Sequence, residues 1–254
     1  MSTPHNPVTR VVVFGAAGRM GSRLCRLSAD DPSLALVAAV TRDDSPAIGA
    51  PAAPGHAAPT ISDFAHSTGV SADVVIDFSS PAATPHALAL ARAARAALLV
   101  GTTALPESIL RSLRDAAADI GVLVAPNTSL GVAAVARAAA LLARALGSAF
   151  DVSLVEAHHS RKKDAPSGTA LRLAAVVRDA GGNLPDHRIL AIRAGETIGE
   201  HTLRFDAPGE TIELSHRALS RDLFALGAIR AAKWLHARGP GWWTMDDVLG
   251  FGPG

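Results

Sequence analysis

VVVFGAAGRMG, at residues 11–21, is the stretch that decides the fold class of this 254-residue chain. Its first four residues form a continuous apolar run, which is typical of a buried parallel strand. The run leads directly into a glycine-rich turn, and residues 22–29 then have helical character. Glycines permit a tight strand-to-helix turn whose backbone N–H groups can approach a pyrophosphate. A tight turn without a ligand is the competing interpretation, but the position directly after a β-branched strand favours a dinucleotide site.

Strands and helices continue to alternate along the first half of the chain. Apolar runs at 34–40, 74–78, 98–100 and 122–124 predict strands, and the segments 82–96 and 106–120 predict helices. This alternation is the pattern of a doubly wound parallel sheet, which binds its ligand at the carboxyl ends of the strands. Residues that follow two of these strands would lie on the nicotinamide side of such a ligand, namely Gly101, Thr102, Thr103 and Asn127. Each of them, taken singly, is also an ordinary turn residue.

The end of the second strand bears on the choice of cofactor. Sheets that bind NAD usually carry an acidic residue there, which holds the ribose hydroxyls. This chain has Thr41 followed by Arg42, and an arginine can pair with the 2′-phosphate of NADP. We therefore expect NADPH to be accepted at least as well as NADH. Asp43 or Asp44 could instead take the acidic role, and Arg42 could be a solvated surface residue.

A second distinctive stretch, VEAHHSRKKDAPSGTA, occupies residues 155–170. It follows a short predicted strand and concentrates histidines and cations in a few residues, ahead of a predicted helix at 170–177. Pro166 and Ser167 suit a helix start, and the free N–H groups of that start form a seat for an anion such as a carboxylate. Adjacent strand residues point to opposite faces, so His158 and His159 should have different tasks.

These features together predict a site for an acidic substrate that needs a proton. A basic, solvated loop is the competing interpretation, although catalytic groups often lie on loops held by strands and helix ends. A zinc site has less support, because His158, His159 and Asp164 lack a usual ligand spacing and no cysteine is near. We therefore expect no metal.

The pattern changes after an alanine-rich helix predicted at 132–146. The segments 188–193, 201–205 and 211–215 alternate and predict strands without helices between them. Consecutive strands of this kind indicate an antiparallel or mixed sheet. The fold class predicted is therefore α/β, with a Rossmann-like doubly wound parallel sheet plus a smaller α+β domain with a mixed or antiparallel sheet.

The composition narrows the classes of function. A formal net charge of +1 provides no global field for nucleic acid or an anionic membrane. The single Cys25 cannot form an internal disulfide and fits a reducing cytosol. Residues 1–10 lack the apolar core of a signal peptide, and Arg137 and Arg144 interrupt the alanine-rich run, which favours an amphipathic helix over a membrane span. We expect a cytoplasmic protein that binds a small molecule, with no nucleic-acid or membrane partner.

The sequence resembles the 4-hydroxy-tetrahydrodipicolinate reductases, the dihydrodipicolinate reductases of lysine and diaminopimelate synthesis. The resemblance runs nearly end to end, and the stretch EAHHSRKKDAPSGTA, at residues 156–170, is its most specific part. The other matching motifs are VVVFGAAGRMG, VIDFS, VGTT, APN with Ser129-Leu130-Gly131, GEHTLRF, ELSHRA and SRDLFALGAIRAAKWL.

The resemblance implies a role for particular residues. His158 and Lys162 match the family's proton-donating pair. The matching substrate-binding positions are His159, Lys162, Ser167, Gly168 and Thr169. The matching cofactor-binding positions are Gly15, Ala16, Ala17, Gly18, Arg19, Met20, Arg42, Gly101, Thr102, Thr103, Ala125, Pro126, Asn127 and Thr128. The resemblance also implies a homotetramer with a dinucleotide-binding domain, residues 1–129 and 221–254, and a substrate-binding and oligomerisation domain, residues 130–220.

The reaction that the resemblance implies agrees with the chemistry of these residues. The substrate is a cyclic imine with two carboxylates, and hydride delivery from NADPH or NADH to a ring carbon leaves electron density that a proton must meet. A positioned His or Lys can donate that proton. Two alternatives stay open: a divergent reductase of another small dicarboxylic imine or aldehyde, and a non-catalytic nucleotide-sensing homologue.

The chain departs from the family's pattern at four places. Ala104 stands where a glycine is usual, Thr128 where an aromatic residue is usual, and Thr41 where an acidic residue is usual. Only residues 180–187 fill an interval that the family usually spans with a longer loop. These departures bear on cofactor preference, nicotinamide packing and tetramer contacts, and they leave the stretch 156–170 untouched.

Overall fold

The structure is a computed structural model that describes residues 8–252. The chain forms two compact units. The first contains the residues up to Thr128 together with those from Phe224 onwards, and the second is Ser129–Leu223. Residues 1–7, most of the stretch in which the sequence predicts no signal peptide, lie outside the described residues.

The described residues form strands and helices with the following bounds. The strands are β1 Thr9–Phe14, β2 Leu34–Val40, β3 Ile61–Ser62, β4 Val74–Asp77, β5 Ala97–Val100, β6 Gly121–Val124, β7 Asp151–His158, β8 Ile189–Arg193, β9 Glu200–Ala207, β10 Glu210–Arg217 and β11 Gly241–Trp243. The α-helices are α1 Gly21–Asp30, α2 Thr84–Ala94, α3 Glu107–Ala116, α4 Leu130–Leu146, α5 Gly168–Asp179, α6 Asp222–His236 and α7 Met245–Val248.

The first unit is built on a parallel seven-stranded sheet in the order β11-β6-β5-β4-β1-β2-β3. The side chains of β4 and β5 are buried throughout, as expected where helices cover both faces. Leu113 of α3 and Ala87 of α2 pack into the core on β4 and β5. The sheet confirms the predicted doubly wound architecture and collects the carboxyl ends of its parallel strands along one edge.

Two short strands at the edges of this sheet do not follow from the sequence pattern. β3 has two residues, and β11 has three, of which Trp242 pairs with Val122 of β6. Such strands are too short to produce a periodic signal. Trp243 contacts Trp234 of α6 edge to face, with ring centroids 5.4 Å apart. This contact packs β11 against α6.

The second unit is built on a mixed four-stranded sheet in the order β10-β9-β7-β8. β7 pairs with β8 in parallel, and the other two pairs are antiparallel. Helices α4 and α5 pack on one face, where Leu154 and Phe205 are fully buried. The opposite face exposes Leu190 and Ile192 of β8. This sheet confirms the mixed or antiparallel sheet predicted for the second part of the fold.

Helix α4, extended by one further turn to Ala149, is long and apolar enough to cross a membrane by length and composition alone. Its alanines, however, form part of the packed core of the second unit, with Ala139 and Ala143 buried against the sheet and α5. The helix therefore has the packing expected of a core element, in keeping with the amphipathic helix predicted from sequence.

Candidate active site

The glycine turn after β1 has a geometry that only glycine satisfies. Gly15 has a φ of 81°, and a Cβ at that position would lie 2.3 Å from the carbonyl oxygen of Phe78. A Cβ at Gly21 would lie 2.0 Å from the carbonyl oxygen of Gly15. The backbone of the turn can therefore approach a ligand with no side chain in between, as pyrophosphate binding requires.

A cavity of about 510 Å³ lies beside this turn in the first unit. Gly15, Ala17 and Gly18 line it together with Arg42. Arg42 pairs with Asp44 through a 2.9 Å contact between Nε and Oδ1, and both side chains are largely exposed. The structure thus brings the predicted pyrophosphate turn and the predicted 2′-phosphate residue to one cavity, whose residues fit a dinucleotide.

Asp77, the last residue of β4, organises the neighbouring loop. Its carboxylate is fully buried and accepts hydrogen bonds from the Ser79 hydroxyl and amide and, at 2.7 Å, from the Thr84 hydroxyl. Burial raises the pKa of Asp77 above its ordinary value, and these neutral donors oppose the rise only in part. The Ser79 amide also donates to the Thr102 hydroxyl at 3.0 Å. Asp77 therefore fixes the loop beside the predicted nicotinamide-side residues.

The remaining predicted cofactor residues of the first unit differ in accessibility. The side chains of Ala16 and Ala125 are buried, so these residues could contact a ligand only through their backbone. Thr128 is buried too, and its hydroxyl donates to the carbonyl oxygen of Phe224 at 2.7 Å. The exposed predicted residues are Ala17, Gly18, Arg19, Thr103 and Pro126, while Met20 and Asn127 are half-buried and Gly101 is buried.

The proton-donor candidate His158 is the last residue of β7 and is buried in the second unit. Its Nδ1 lies 2.5 Å from Oε2 of Glu156, two residues earlier on the same face of the strand. Burial lowers the pKa of His158 below its ordinary value, and the hydrogen bond to Glu156 opposes that effect. The next residue, His159, is half-buried and donates its backbone N–H to the Thr197 carbonyl at 2.7 Å. His159 lies just beyond the end of β7 and is less buried than His158, and the different tasks expected of the two histidines stay a prediction.

The carboxylate of Glu156 accepts hydrogen bonds from Arg193 and Ser167 as well as from His158. Arg193 of β8 donates from Nη2 to Oε1 at 2.6 Å and from Nη1 to Oε2 at 2.9 Å. The backbone N–H of Ser167 donates to Oε1 at 3.0 Å. Burial raises the pKa of Glu156, but the bonds from Arg193, His158 and Ser167 outweigh it and hold that pKa below its ordinary value. Glu156 is thus a buried, ionised acceptor.

Helix α5 begins beside these groups. The Ser167 hydroxyl caps it by accepting from the Ala170 N–H at 3.1 Å. A Cβ built on Gly168 would meet no atom within 4 Å, so the first turn of the helix opens onto free space. Helix starts of this kind bind anions through backbone N–H groups. In the preceding loop, Lys162 pairs with both oxygens of Asp164, at 2.8 and 2.7 Å.

A further histidine, which the sequence analysis did not single out, joins this group. His201 of β9 is buried, its Nε2 lies 3.1 Å from the Ser167 hydroxyl, and burial lowers its pKa to about 4. Glu156, His158 and His201 offer ligand atoms within 4.8 Å of one another. Arg193 already donates to both oxygens of Glu156, so the geometry favours a hydrogen-bonded network over a metal site.

Sequence reasoning missed Glu156, Arg193 and His201 as members of this group. One signal was available: Glu156 and His158 are separated by two positions on a predicted strand and must share a face. Arg193 had no comparable signal, because only the register of β8 against β7 places it opposite His158.

A parallel sheet with a glycine turn and a ligand cavity is the arrangement of dinucleotide-binding oxidoreductases, and a buried histidine held by an ionised carboxylate is a group suited to proton transfer in that class. Comparisons with known proteins identify the family. Residues 9–128 match the family described as "Dihydrodipicolinate reductase, N-terminus" and residues 131–249 match "Dihydrodipicolinate reductase, C-terminus". The chain belongs to the dihydrodipicolinate reductase family.

Individual relatives agree with this assignment. The chain is 42% identical over 273 residues to the 4-hydroxy-tetrahydrodipicolinate reductase of Hahella chejuensis, covering 96% of this chain and 99% of that protein. It is 43% identical to the enzyme of the same name from Anaeromyxobacter dehalogenans, over 96% of this chain and 98% of that one. Among solved structures, a dipicolinate-bound dihydrodipicolinate reductase from Paenisporosarcina sp. TG-14 has the same fold, with a TM-score of 0.77 at 21% identity over 93% of this chain and 97% of that chain.

Proposed function

We propose that this chain catalyses the NAD(P)H-dependent reduction of 4-hydroxy-tetrahydrodipicolinate (dihydrodipicolinate) to tetrahydrodipicolinate in lysine and diaminopimelate biosynthesis. The curated relatives carry the name of that reductase over nearly their whole length. The observation that carries the proposal is the buried His158, hydrogen-bonded to Glu156 beside the start of α5. A divergent reductase and a nucleotide sensor are alternatives that no observation on the described residues favours.

His158 and Lys162 are the proton-donating pair in this proposal. The bound nicotinamide supplies a hydride to a ring carbon of the substrate. A histidine that is held by a hydrogen bond at one ring nitrogen can present the other to the substrate as a general acid. Lys162 adds a compact positive charge for a substrate carboxylate. Asp164 holds that charge in place through both of its oxygens.

The substrate carboxylates bind at the start of α5. We assign His159, Ser167, Gly168 and Thr169 to this task together with Lys162. The open space in front of Gly168 and the positive end of the helix dipole both suit a negative group. Ser167 contributes mainly by capping the helix and keeping its first turn in place.

The cofactor binds in the first unit, at the glycine turn and the strand ends. The assigned residues are Gly15, Ala16, Ala17, Gly18, Arg19, Met20, Arg42, Gly101, Thr102, Thr103, Ala125, Pro126, Asn127 and Thr128. Because Ala16, Ala125 and Thr128 have buried side chains, we assign them backbone contacts only.

NADPH is accepted at least as well as NADH in this proposal, because Arg42 lines the cavity beside the glycine turn. The test compares kcat/KM for the two cofactors. Arg42→Ala should lower the NADPH value about tenfold, through loss of a charged hydrogen bond to phosphate, and leave the NADH value nearly unchanged. Asp44→Asn is the matched variant, since it releases Arg42 and should favour NADPH. A wild-type preference for NADH by a large factor would contradict the assignment.

Residues 1–129 and 221–254 form the dinucleotide-binding domain, and residues 130–220 form the substrate-binding and oligomerisation domain. The protein is a cytoplasmic homotetramer in this proposal.

Support for assembly comes from the helix-free face of the mixed sheet, where Leu190 is 54% and Ile192 49% exposed. Light scattering on Leu190→Glu should give smaller particles than the wild type. Exposed Leu141 of α4, changed in the same way, is the control that should leave the assembly intact. A monomeric wild type would contradict this proposal.

The activity itself is tested with a coupled assay. Fresh product of dihydrodipicolinate synthase is supplied with NADPH or NADH, and loss of the absorbance of the reduced cofactor is followed. Robust turnover supports the proposed reaction. Intact cofactor binding without turnover would contradict it and direct attention to another dicarboxylic imine or aldehyde.

A further inference from the structure

One buried carboxylate contacts three parts of the candidate active site at once. Oε2 of Glu156 accepts from the proton-donor candidate His158, and Oε1 accepts from the N–H of Ser167, immediately before α5. Arg193 donates to both oxygens and also, at 2.6 Å, to the carbonyl oxygen of Asp164. Asp164 in turn holds Lys162. His158, the start of α5 and the loop that carries Lys162 are therefore connected through Glu156 and Arg193.

We propose that Glu156, held by Arg193, is a positioning residue that sets the tautomer of His158 and fixes its distance from the anion-binding start of α5. This inference rests on the proposed function. Glu156 does not reach the substrate itself: its side chain is fully buried, and hydrogen bonds already engage both of its oxygens. It acts through His158 and Ser167.

The tautomer follows from the hydrogen bond. An ionised carboxylate only accepts, so the neutral imidazole of His158 must carry its proton on Nδ1, the atom that lies 2.5 Å from Glu156. The second proton of the charged form is then carried on Nε2, and Nε2 is the atom that donates it. Nε2 lies next to Gly199, where a Cβ would be 3.0 Å away. The glycine at that position leaves space beside the donating nitrogen.

The charges around His158 oppose one another. Glu156 lies on its own strand, Arg193 comes from β8, His201 from β9 and Lys162 from the following loop. Burial lowers the pKa of His158, as do the charges of Lys162 and Arg193, while the hydrogen bond that His158 donates to Glu156 raises it. Removing the charge of Glu156 should therefore lower the pKa of His158 further.

The carboxylate of Glu156 also keeps the proton donor His158 at a fixed position relative to the anion-binding start of α5. The N–H of Ser167 and the imidazole of His158 are held by the two oxygens of one rigid group, so a carboxylate bound at α5 keeps a constant position relative to the proton donor. Misplacing a catalytic group by about 1 Å can cost about a hundredfold in rate. Loss of Glu156 should accordingly lower kcat more than it raises KM.

The first arm of the test uses the unsubstituted protein and no substrate. Nitrogen-15 NMR of histidine-labelled protein reports which ring nitrogen of neutral His158 carries the proton, with His158→Gln used to assign the signal. A proton on Nδ1 supports the proposal, and a proton on Nε2 overturns it. This arm does not depend on the reaction, so its outcome is separate from that of the coupled assay.

The second arm compares Glu156→Gln with Glu196→Gln. Glu196 is the matched control because Arg161 also holds it through two bonds, at 2.7 and 2.6 Å, but on the exposed surface. In Glu156→Gln the limb of the kcat/KM profile that requires protonated His158 should move to lower pH, and kcat should fall about a hundredfold through misplacement of the donor. Glu196→Gln should leave both unchanged. An unmoved limb in Glu156→Gln would overturn the proposal.

Discussion

The two units each bury one carboxylate beside a predicted ligand site, and they stabilise it in different ways. The donors to Asp77 of the first unit are neutral groups, among them the hydroxyls of Ser79 and Thr84 and the Ser79 amide. Glu156 of the second unit accepts from the guanidinium of Arg193 and from an imidazole. Burial consequently prevails for Asp77, whose pKa is raised, and charged donors prevail for Glu156, whose pKa is lowered.

This difference matches the tasks proposed for the two regions. A loop beside a dinucleotide needs only a fixed shape, which neutral hydrogen bonds provide. A proton donor needs a partner whose charge stays constant while the donor changes its own, and an ion pair provides that. The comparison predicts that removing a donor will be far more costly at Glu156 than at Asp77.

The largest effect on stability is expected at Arg193. Arg193→Met leaves the buried carboxylate of Glu156 without its cation, which should lower the free energy of unfolding by roughly 3–5 kcal/mol. Calorimetry or urea unfolding measures the change. Arg161→Met, at the exposed pair with Glu196, should have little effect. Equal losses at both arginines would show that burial of Glu156 is not the reason.

A large effect on activity is expected at Lys162. Lys162→Ala should lower kcat/KM about a hundredfold, through both kcat and KM, because a proton-donating group and a carboxylate partner are lost together. Steady-state kinetics in the coupled assay measure it. The neighbouring exposed Lys163 provides the control, since Lys163→Ala removes the same charge from the same loop. If both variants lost activity equally, net charge of the loop would be the cause.

A smaller effect is expected when each buried carboxylate is replaced by its amide, in Asp77→Asn and Glu156→Gln. The two substitutions should change the pH dependence of stability in opposite directions. The folded pKa of Asp77 is raised, so its contribution to stability is present at low pH and is lost as pH rises through that pKa. The folded pKa of Glu156 is depressed, so its contribution is present above the unfolded pKa and is lost as pH falls through the folded value.

Asp77→Asn should therefore gain stability relative to the wild type as pH rises from about 4 to about 7. Glu156→Gln should lose it at more acidic pH, as pH rises from the depressed pKa of Glu156 to the ordinary value of a glutamate, with little change above that value. At the low end of the range, Asp77→Asn should cost about 1 kcal/mol at most, as for one altered hydrogen bond. Melting temperatures at several pH values measure both. Slopes of the same sign would contradict the contrast between the two carboxylates.

Much of the fold could be predicted from the sequence because its signals are local. The apolar run before Gly15 and the regular alternation of strands and helices specify the parallel sheet, and consecutive strands specify the mixed one. β11 escaped prediction, since Trp242 belongs to a strand only through its pairing with β6. Short edge strands depend on a neighbour that is distant in sequence.

The residues of the candidate site also fall into a group that local sequence predicts and a group that depends on long-range pairing. His158, Lys162 and the start of α5 are close in sequence, and their chemistry could be read directly. Glu156 lay inside the same stretch, but its role depends on Arg193, which reaches it only through the register of β7 against β8. Long-range pairing of this kind leaves no pattern in a single sequence. The assigned roles of these residues remain predictions.

The smallest effect is expected at Ala104, where the family usually has a glycine. Ala104 has a φ of 57°, a left-handed conformation that costs a residue with a Cβ about 1–2 kcal/mol. Glycine removes that cost but loses about 0.5–1 kcal/mol through the entropy of the unfolded chain. Ala104→Gly should thus stabilise the protein slightly, and thermal unfolding measures it. Arg95→Gly, at a φ of 50° after α2, is the matched change, and destabilisation at both sites would contradict this argument.

The central claim is that the buried His158 is the proton donor of a nicotinamide-dependent reductase. The most direct test measures kcat of the wild type and of His158→Gln in the coupled assay with NADPH, together with NADPH binding by fluorescence. The account predicts that kcat falls about a hundredfold or more, as for loss of a general acid, while KM and NADPH affinity stay nearly unchanged. Near-normal turnover by His158→Gln would contradict it.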